Sequence, residues 1–184
     1  HVLSSVLAFD QAQSPVVLFS EGADNAPTQL YVKRWTQEGW QLLGEQINPV
    51  LSYATPLQVV VAVDNNPTVA YTEYANIDDF MNAETPQIVV KQWTGKGWQQ
   101  VLRFADDSLG FNKLELKTNG QHSLRVWDAD ALIIKTWSGT DWTTLKTVPL
   151  EMSPVHEFAE TYVYHSAIAL DADNNPVMAW FEHD

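Results

Sequence analysis

Short runs of β-branched and apolar residues alternate along this chain with clusters of turn-forming residues. Val59-Val-Val-Ala-Val63 and Thr68-Val-Ala-Tyr71 are two such runs, separated by Asp64-Asn-Asn-Pro67. Runs of this length and composition, bounded by Gly, Pro, Asn and Asp, predict strands and tight turns.

The strands recur in two repeated units. The first carries W-x-x-x-x-W: Trp35-Thr-Gln-Glu-Gly-Trp40, Trp93-Thr-Gly-Lys-Gly-Trp98 and Trp137-Ser-Gly-Thr-Asp-Trp142. Each copy follows an apolar run ending in Lys-x, as in Val89-Val-Lys91-Gln92 and Ile133-Ile-Lys135-Thr136. Six of the eight tryptophans belong to this unit. The second unit reads Asp10…Pro15-Val-Val-Leu-Phe19-Ser-Glu21, Asp64…Pro67-Thr-Val-Ala-Tyr71-Thr-Glu73 and Asp171…Pro176-Val-Met-Ala-Trp180-Phe-Glu182, with a worn copy over 116–128. The two units alternate, second unit first and last.

Both units predict β-hairpins. In the first, Gly39, Gly95, Gly97 and Gly139 supply the positive φ of a tight turn, and the two tryptophans meet across it. In the second, Asp and Asn bond back to their own backbone while Pro presets φ. Two hairpins in succession make a four-stranded antiparallel meander repeating every 45 to 58 residues or so, the scale of propeller blades. The expected fold is all-β and β-propeller-like, a single domain over residues 1–184. Its blades fall at about 4–46, 57–103 and 112–148, with a half-blade at 164–184. The tryptophans and Val/Ile runs are expected to fill the space between blades.

Units of the form D-x-x-N-P-x-V-A-[WY] followed by V-K-x-W-x-G-x-x-W resemble those of bacterial β-propeller repeat proteins. The resemblance covers almost the whole chain. It implies strand order from axis to rim and a ligand face at one end, and no particular reaction. Three and a half blades do not close a ring, and propellers have about four to eight. A homodimer completing a seven-blade ring and a piece of a longer protein are the two expectations.

Composition narrows the function. Hydrophobic content of 45% fits a globular core, and no stretch reaches membrane-spanning length. The N-terminal run from His1 reads as strand, without the basic segment of a signal peptide or an initiator Met, as in a processed or excised chain. With no cysteine, disulfides and thiol metal sites are excluded. Extracellular or periplasmic location is the expectation. A net charge of −13 disfavours nucleic acid and anionic membranes as partners. Neutral sugars and basic proteins fit better.

In a meander, alternate turns share one end of the sheet. The D-x-x-N-P and W-x-x-x-x-W turns therefore share one face, and the connections that differ between copies occupy the other. Recognition on a rigid scaffold usually sits on such connections. They hold about half of the chain's 23 acidic residues, and solvation of ordinary loops accounts for many of these. Two connections combine aromatics with carboxylates. The first has Tyr74, Asp78, Asp79, Phe80 and Glu84, with a predicted helical turn. The second has His156, Glu157, Phe158, Glu160, Tyr162 and His165. With Asp106 and Asp107 these give the candidate ligand residues: Tyr74, Asp78, Asp79, Phe80, Asp106, Asp107, His156, Glu157 and His165. The aromatics also serve to tuck the loops onto the sheets.

No metal or cofactor is expected. His156-Glu157-x-x-Glu160 lacks the H-E-x-x-H spacing, and Asp171-Ala-Asp173-Asn-Asn175 lacks the glycine and terminal glutamate of a calcium loop. A sialidase reading fails on the missing aspartate-box serine and glycine. It also fails because Arg34, Arg103 and Arg125 fall on different strands of their repeats. On the strands expected to line the axis the carboxylates are Asp10, Asp64, Glu115 and Asp171, and three of these head turns. The favoured function is thus a non-catalytic binding module for a carbohydrate or protein. The alternatives are a propeller-type glycoside hydrolase or lyase with paired carboxylates, and a structural repeat segment of a larger surface protein.

Overall fold

A computed structural model describes residues 1–23, 26–62, 64–82, 84–105, 113–116, 122–128, 131–137, 142–149, 163–170 and 176–182. Within them the chain is antiparallel β throughout, apart from one short helix.

Strands β1 (Val2–Phe9), β2 (Pro15–Glu21), β3 (Gln29–Thr36) and β4 (Gly39–Leu42) form the first sheet in chain order. The second sheet comprises β5 (Tyr53–Val61), β6 (Pro67–Tyr74), β7 (Gln87–Trp93) and β8 (Trp98–Ala105), with α1 (Ile77–Met81) between β6 and β7. The third holds β9 (Lys113–Leu116), β10 (His122–Asp128), β11 (Ala131–Trp137) and β12 (Trp142–Pro149). Strands β13 (Val163–Leu170) and β14 (Pro176–Glu182) pair as a hairpin. Each sheet is a meander because every connection joins strands that neighbour in space.

Local chemistry closes the turns. The Asp10 carboxylate accepts from the backbone N–H of Ala12 at 2.9 Å and of Ser14 at 2.8 Å, and Asp64 accepts from Asn66 N–H at 3.0 Å. Those bonds hold the Asp64 carboxyl below its usual range. The hairpins between tryptophans bend at Gly39, with φ of +101°, and at Gly95, with φ of +84°. Trp35 pairs with Trp40, Trp93 with Trp98, and Trp137 with Trp142. Ring centroids lie 5.5 Å apart in the first pair and 5.4 Å in the second. The repeat extends to irregularities, since a register shift falls at Val90/Lys91 in the second sheet and at Ile134/Lys135 in the third.

Sheets stack on their faces. Val16, Leu18, Leu30 and Val32 of the first sheet meet Val59, Val69, Tyr71 and Val89 of the second in one buried cluster. Strand β5 lies against both β1 and β9, bringing the first strands of successive sheets together. At the turn end, Arg34 donates to the carbonyl of Asn65, and Gln11 N–H donates to the Asn65 side chain at 3.3 Å.

Tryptophan fills the space between sheets at one pair and not at the other. Trp93 and Trp98 pack beneath the segment that leaves β4, where Gly44 has φ of +75° and an added Cβ would sit 2.8 Å from the Trp93 ring. Trp35 and Trp40 stay exposed, because among the described residues nothing lies over that face of the first sheet. Among those residues no helix is long and apolar enough to cross a membrane.

Candidate functional site

The connection from β4 to β5 and the one from β6 to β7 occupy the end of the sheets opposite the turns. The first is held by a buried polar network. Asn48 Nδ2 donates to the Thr28 carbonyl at 2.7 Å and to Ser52 Oγ at 2.8 Å, and Asn48 Oδ1 accepts from Leu30 N–H at 2.7 Å. The Thr28 hydroxyl donates to the Ala54 carbonyl at 2.7 Å. Lys91 Nζ donates to the Ile47 carbonyl at 2.5 Å. Burial lowers the Lys91 pKa, opposed by the nearby Glu73 carboxylate. The connection is tied down by its own Asn48 bonding back to Thr28 and Leu30, and by Gln29 and Lys91 donating to the Val50 and Ile47 carbonyls.

The second connection begins with Tyr74 and folds into α1. Asn76 caps the helix, its Oδ1 accepting from Asp79 N–H at 2.9 Å and its Nδ2 donating to the Asp79 carboxylate at 3.1 Å. Phe80 then turns inward. It stacks on Tyr53 at 3.8 Å between centroids and meets Tyr74 edge-on at 5.3 Å. The aromatic trio joins the start of β5 to the end of β6 and anchors the helix.

The exposed groups around this anchor are Asp78, Glu84 and the apolar side chains of Met81, Val50 and Leu51. Exposed carboxylates and aliphatic side chains are thus carried on two connections tethered to the sheets. Below them, Glu73 is buried and its Oε1 accepts from Arg103 at 2.7 Å. Glu73 Oε2 and the Tyr71 hydroxyl are buried with no hydrogen-bond partner among the described residues. Burial raises the Tyr71 pKa, and the Glu73 charge raises it further.

No family model matches the chain, and no curated protein matches it.

Of the residues expected to bind ligand, Tyr74, Asp78, Asp79 and Phe80 come together here. Their roles divide: Phe80 and Tyr74 stack, Asp79 belongs to the helix cap, and Asp78 alone is exposed without a structural partner among the described residues. His165 lies in β13 by its backbone. Asp106, Asp107, His156 and Glu157 lie outside the described residues. Among those described, no three His, Asp or Glu side chains gather in a metal-ligating group.

Reading the sequence missed Tyr53, Val50, Leu51 and Glu73. The signal for Glu73 was present, since Glu21, Glu73 and Glu182 hold the same place in their repeats. Nothing local marked Tyr53 as the platform for Phe80, a residue 27 positions later by number.

Proposed function

We propose that this chain is a non-catalytic binding module on a β-propeller-like scaffold. Its ligand would be a protein segment with basic and aliphatic side chains, taken on the end carrying α1. The scaffold reading is supported by repeat-related meanders packed face to face with their first strands side by side. One set of observations carries the ligand reading: Met81, Val50 and Leu51 are exposed, as are Asp78 and Glu84, on two connections tied to the sheets by the Asn48 network and the Phe80 stack. Apolar contact on such a surface supplies affinity, and the surrounding charge selects the partner.

A neutral sugar fits less well. Sugar rings are held by a flat aromatic face, and here Phe80 offers one face to Tyr53 while its neighbour Tyr74 packs against it edge-on.

The test is binding to arrays of short lysine- and leucine-bearing peptides and, in parallel, of neutral glycans. The wild type is compared with a variant carrying Asp78→Lys and Met81→Glu. Peptide binding lost in the variant at unchanged thermal stability is the expected result. Equal binding by both proteins, or binding to glycans alone, would overturn the reading.

A further inference from the structure

Two sheet faces carry exposed positions without cover among the described residues, and they are of the two kinds that mate inside the chain. Strand register makes the correspondence explicit. In the first sheet Leu7, Val17, Lys33 and Leu42 form one row of paired residues across the four strands. In the second sheet the corresponding row is Val59, Val69, Lys91 and Gln100. Trp35 and Trp40 correspond to Trp93 and Trp98.

In the second sheet this face is inserted against the first. Val69 is fully buried, Lys91 Nζ donates to the Ile47 carbonyl at 2.5 Å, and Trp98 Nε1 donates to the Leu43 carbonyl at 2.8 Å. The corresponding face of the first sheet has no such cover among the described residues. Leu7, Phe9 and Leu42 are exposed there, with Trp35 at 45% and Trp40 at 47%. The Lys33 ammonium lies 5.2 Å from the centre of the Phe19 ring in place of a carbonyl. This is an apolar face carrying two donors of the kind that meet carbonyl acceptors in the second sheet, and contiguous exposed apolar faces mark contact surfaces.

The receiving kind of face recurs on β14, the strand that repeats β2 and β6. Val16 on the first sheet and Thr68 on the second hold one register position, pairing with Ala8 and Val60. Both are buried, at 0% and 2%, Val16 in the cluster shared with the second sheet. Val177 on β14 holds the same position, paired with Ala169, and is 56% exposed.

We propose that a second copy of this chain is the partner, docking head to tail. The free face of its first sheet would lie on the β13–β14 face of its neighbour, as the second sheet lies on the first within one chain. Such an interface is heterologous, so two copies close a ring where the rotation allows and more copies extend the array where it does not. This goes beyond the ligand reading, uses none of its residues, and can fail without it.

Light scattering on the full chain and two surface variants tests the pairing, with circular dichroism confirming that each variant is folded. The wild type should show a mass of at least twice 20.7 kDa. Trp40→Glu blocks the inserting face and Val177→Glu the receiving face, so each alone should be monomeric. Mixed one to one, they retain one good interface between them and should form a dimer that grows no further. A monomeric wild type would overturn the proposal. So would a Val177→Glu protein that still self-associates, since the first-sheet faces would then be pairing with each other.

Discussion

The indole N–H of Trp98 donates to the carbonyl of Leu43 at 2.8 Å, a bond between residues 55 apart in the chain. It ties the last hairpin of the second sheet to the segment leaving the first, and it separates two tryptophans that share a motif. Trp98 is half-buried, so Trp98→Ala should cost about 3 kcal/mol, the lower range for truncating a large aromatic. Trp40→Ala should cost about 1 kcal/mol, the worth of an exposed aromatic pair. Urea unfolding of both variants, at protein concentrations low enough to keep the chain monomeric, measures the difference. Equal losses would mean that Trp98 gains nothing from its contact with the first sheet.

Gly44 is the second half of that contact. A side chain there meets both an unfavourable backbone region, at φ of +75°, and the Trp93 ring at 2.8 Å. Gly39 and Gly95 also have positive φ, with nothing within 4 Å of an added Cβ. Alanine at either should cost about 1 kcal/mol for the left-handed backbone alone. Gly44→Ala should cost more, about 2–4 kcal/mol once the overpacking is added. Denaturation midpoints of the three variants rank them.

The Asn48 side chain serves four partners at once, so its loss orphans more than one group. In Asn48→Ala the Leu30 N–H and the Thr28 carbonyl would stay buried with no partner. Unsatisfied buried groups cost about 1–3 kcal/mol each, and the variant should lose about 3 kcal/mol overall. Amide exchange at Leu30 should also quicken ahead of the rest of β3. Unchanged protection there would show that the network is dispensable.

Tyr71 gives a pH dependence with a definite sign. In the unfolded chain its phenol loses its proton near the ordinary value of 10.0, while in the folded chain burial keeps the proton on to higher pH. The folded state then binds more protons, so stability falls as pH rises above 10.0. Lys91 acts oppositely. Its folded pKa lies below the ordinary 10.5, so its contribution to stability rises with pH until that value is passed. Tyr71→Phe removes only the first effect. The variant should hold its stability better at alkaline pH, and at neutral pH it should be as stable as the wild type or more so, because the hydroxyl it loses has no partner among the described residues. An alkaline profile identical to the wild type would exclude Tyr71 as the source.

The Phe80 stack predicts a split between the two roles of α1. Phe80→Ala should destabilise by about 2–3 kcal/mol through the lost Tyr53 and Tyr74 contacts. Asp78→Ala should change stability by less than about 0.5 kcal/mol, as for other exposed positions. Thermal unfolding distinguishes them.

The sequence by itself determined the strands, the hairpins and their order. Asp-x-x-Asn-Pro and Trp-x-x-x-x-Trp act within a few residues, through side chains that bond to their own backbone and glycines that reach positive φ. Their outcome therefore does not wait on the rest of the molecule. The helical turn at 77–81 was legible for the same reason, since Asn76 and Asp79 make its cap between themselves. Only the tertiary structure decided which copies of a motif are buried. Trp40 and Trp98 are read identically in sequence, and Lys33 and Lys91 are too, yet among the described residues one of each pair meets a carbonyl of the segment leaving the first sheet and the other does not. The platform of Tyr53 under Phe80 and the burial of Glu73 beside Arg103 were likewise decided there. Burial is a property of the neighbour as much as of the residue, and the neighbours are brought by sheet stacking across tens of residues that no local pattern encodes.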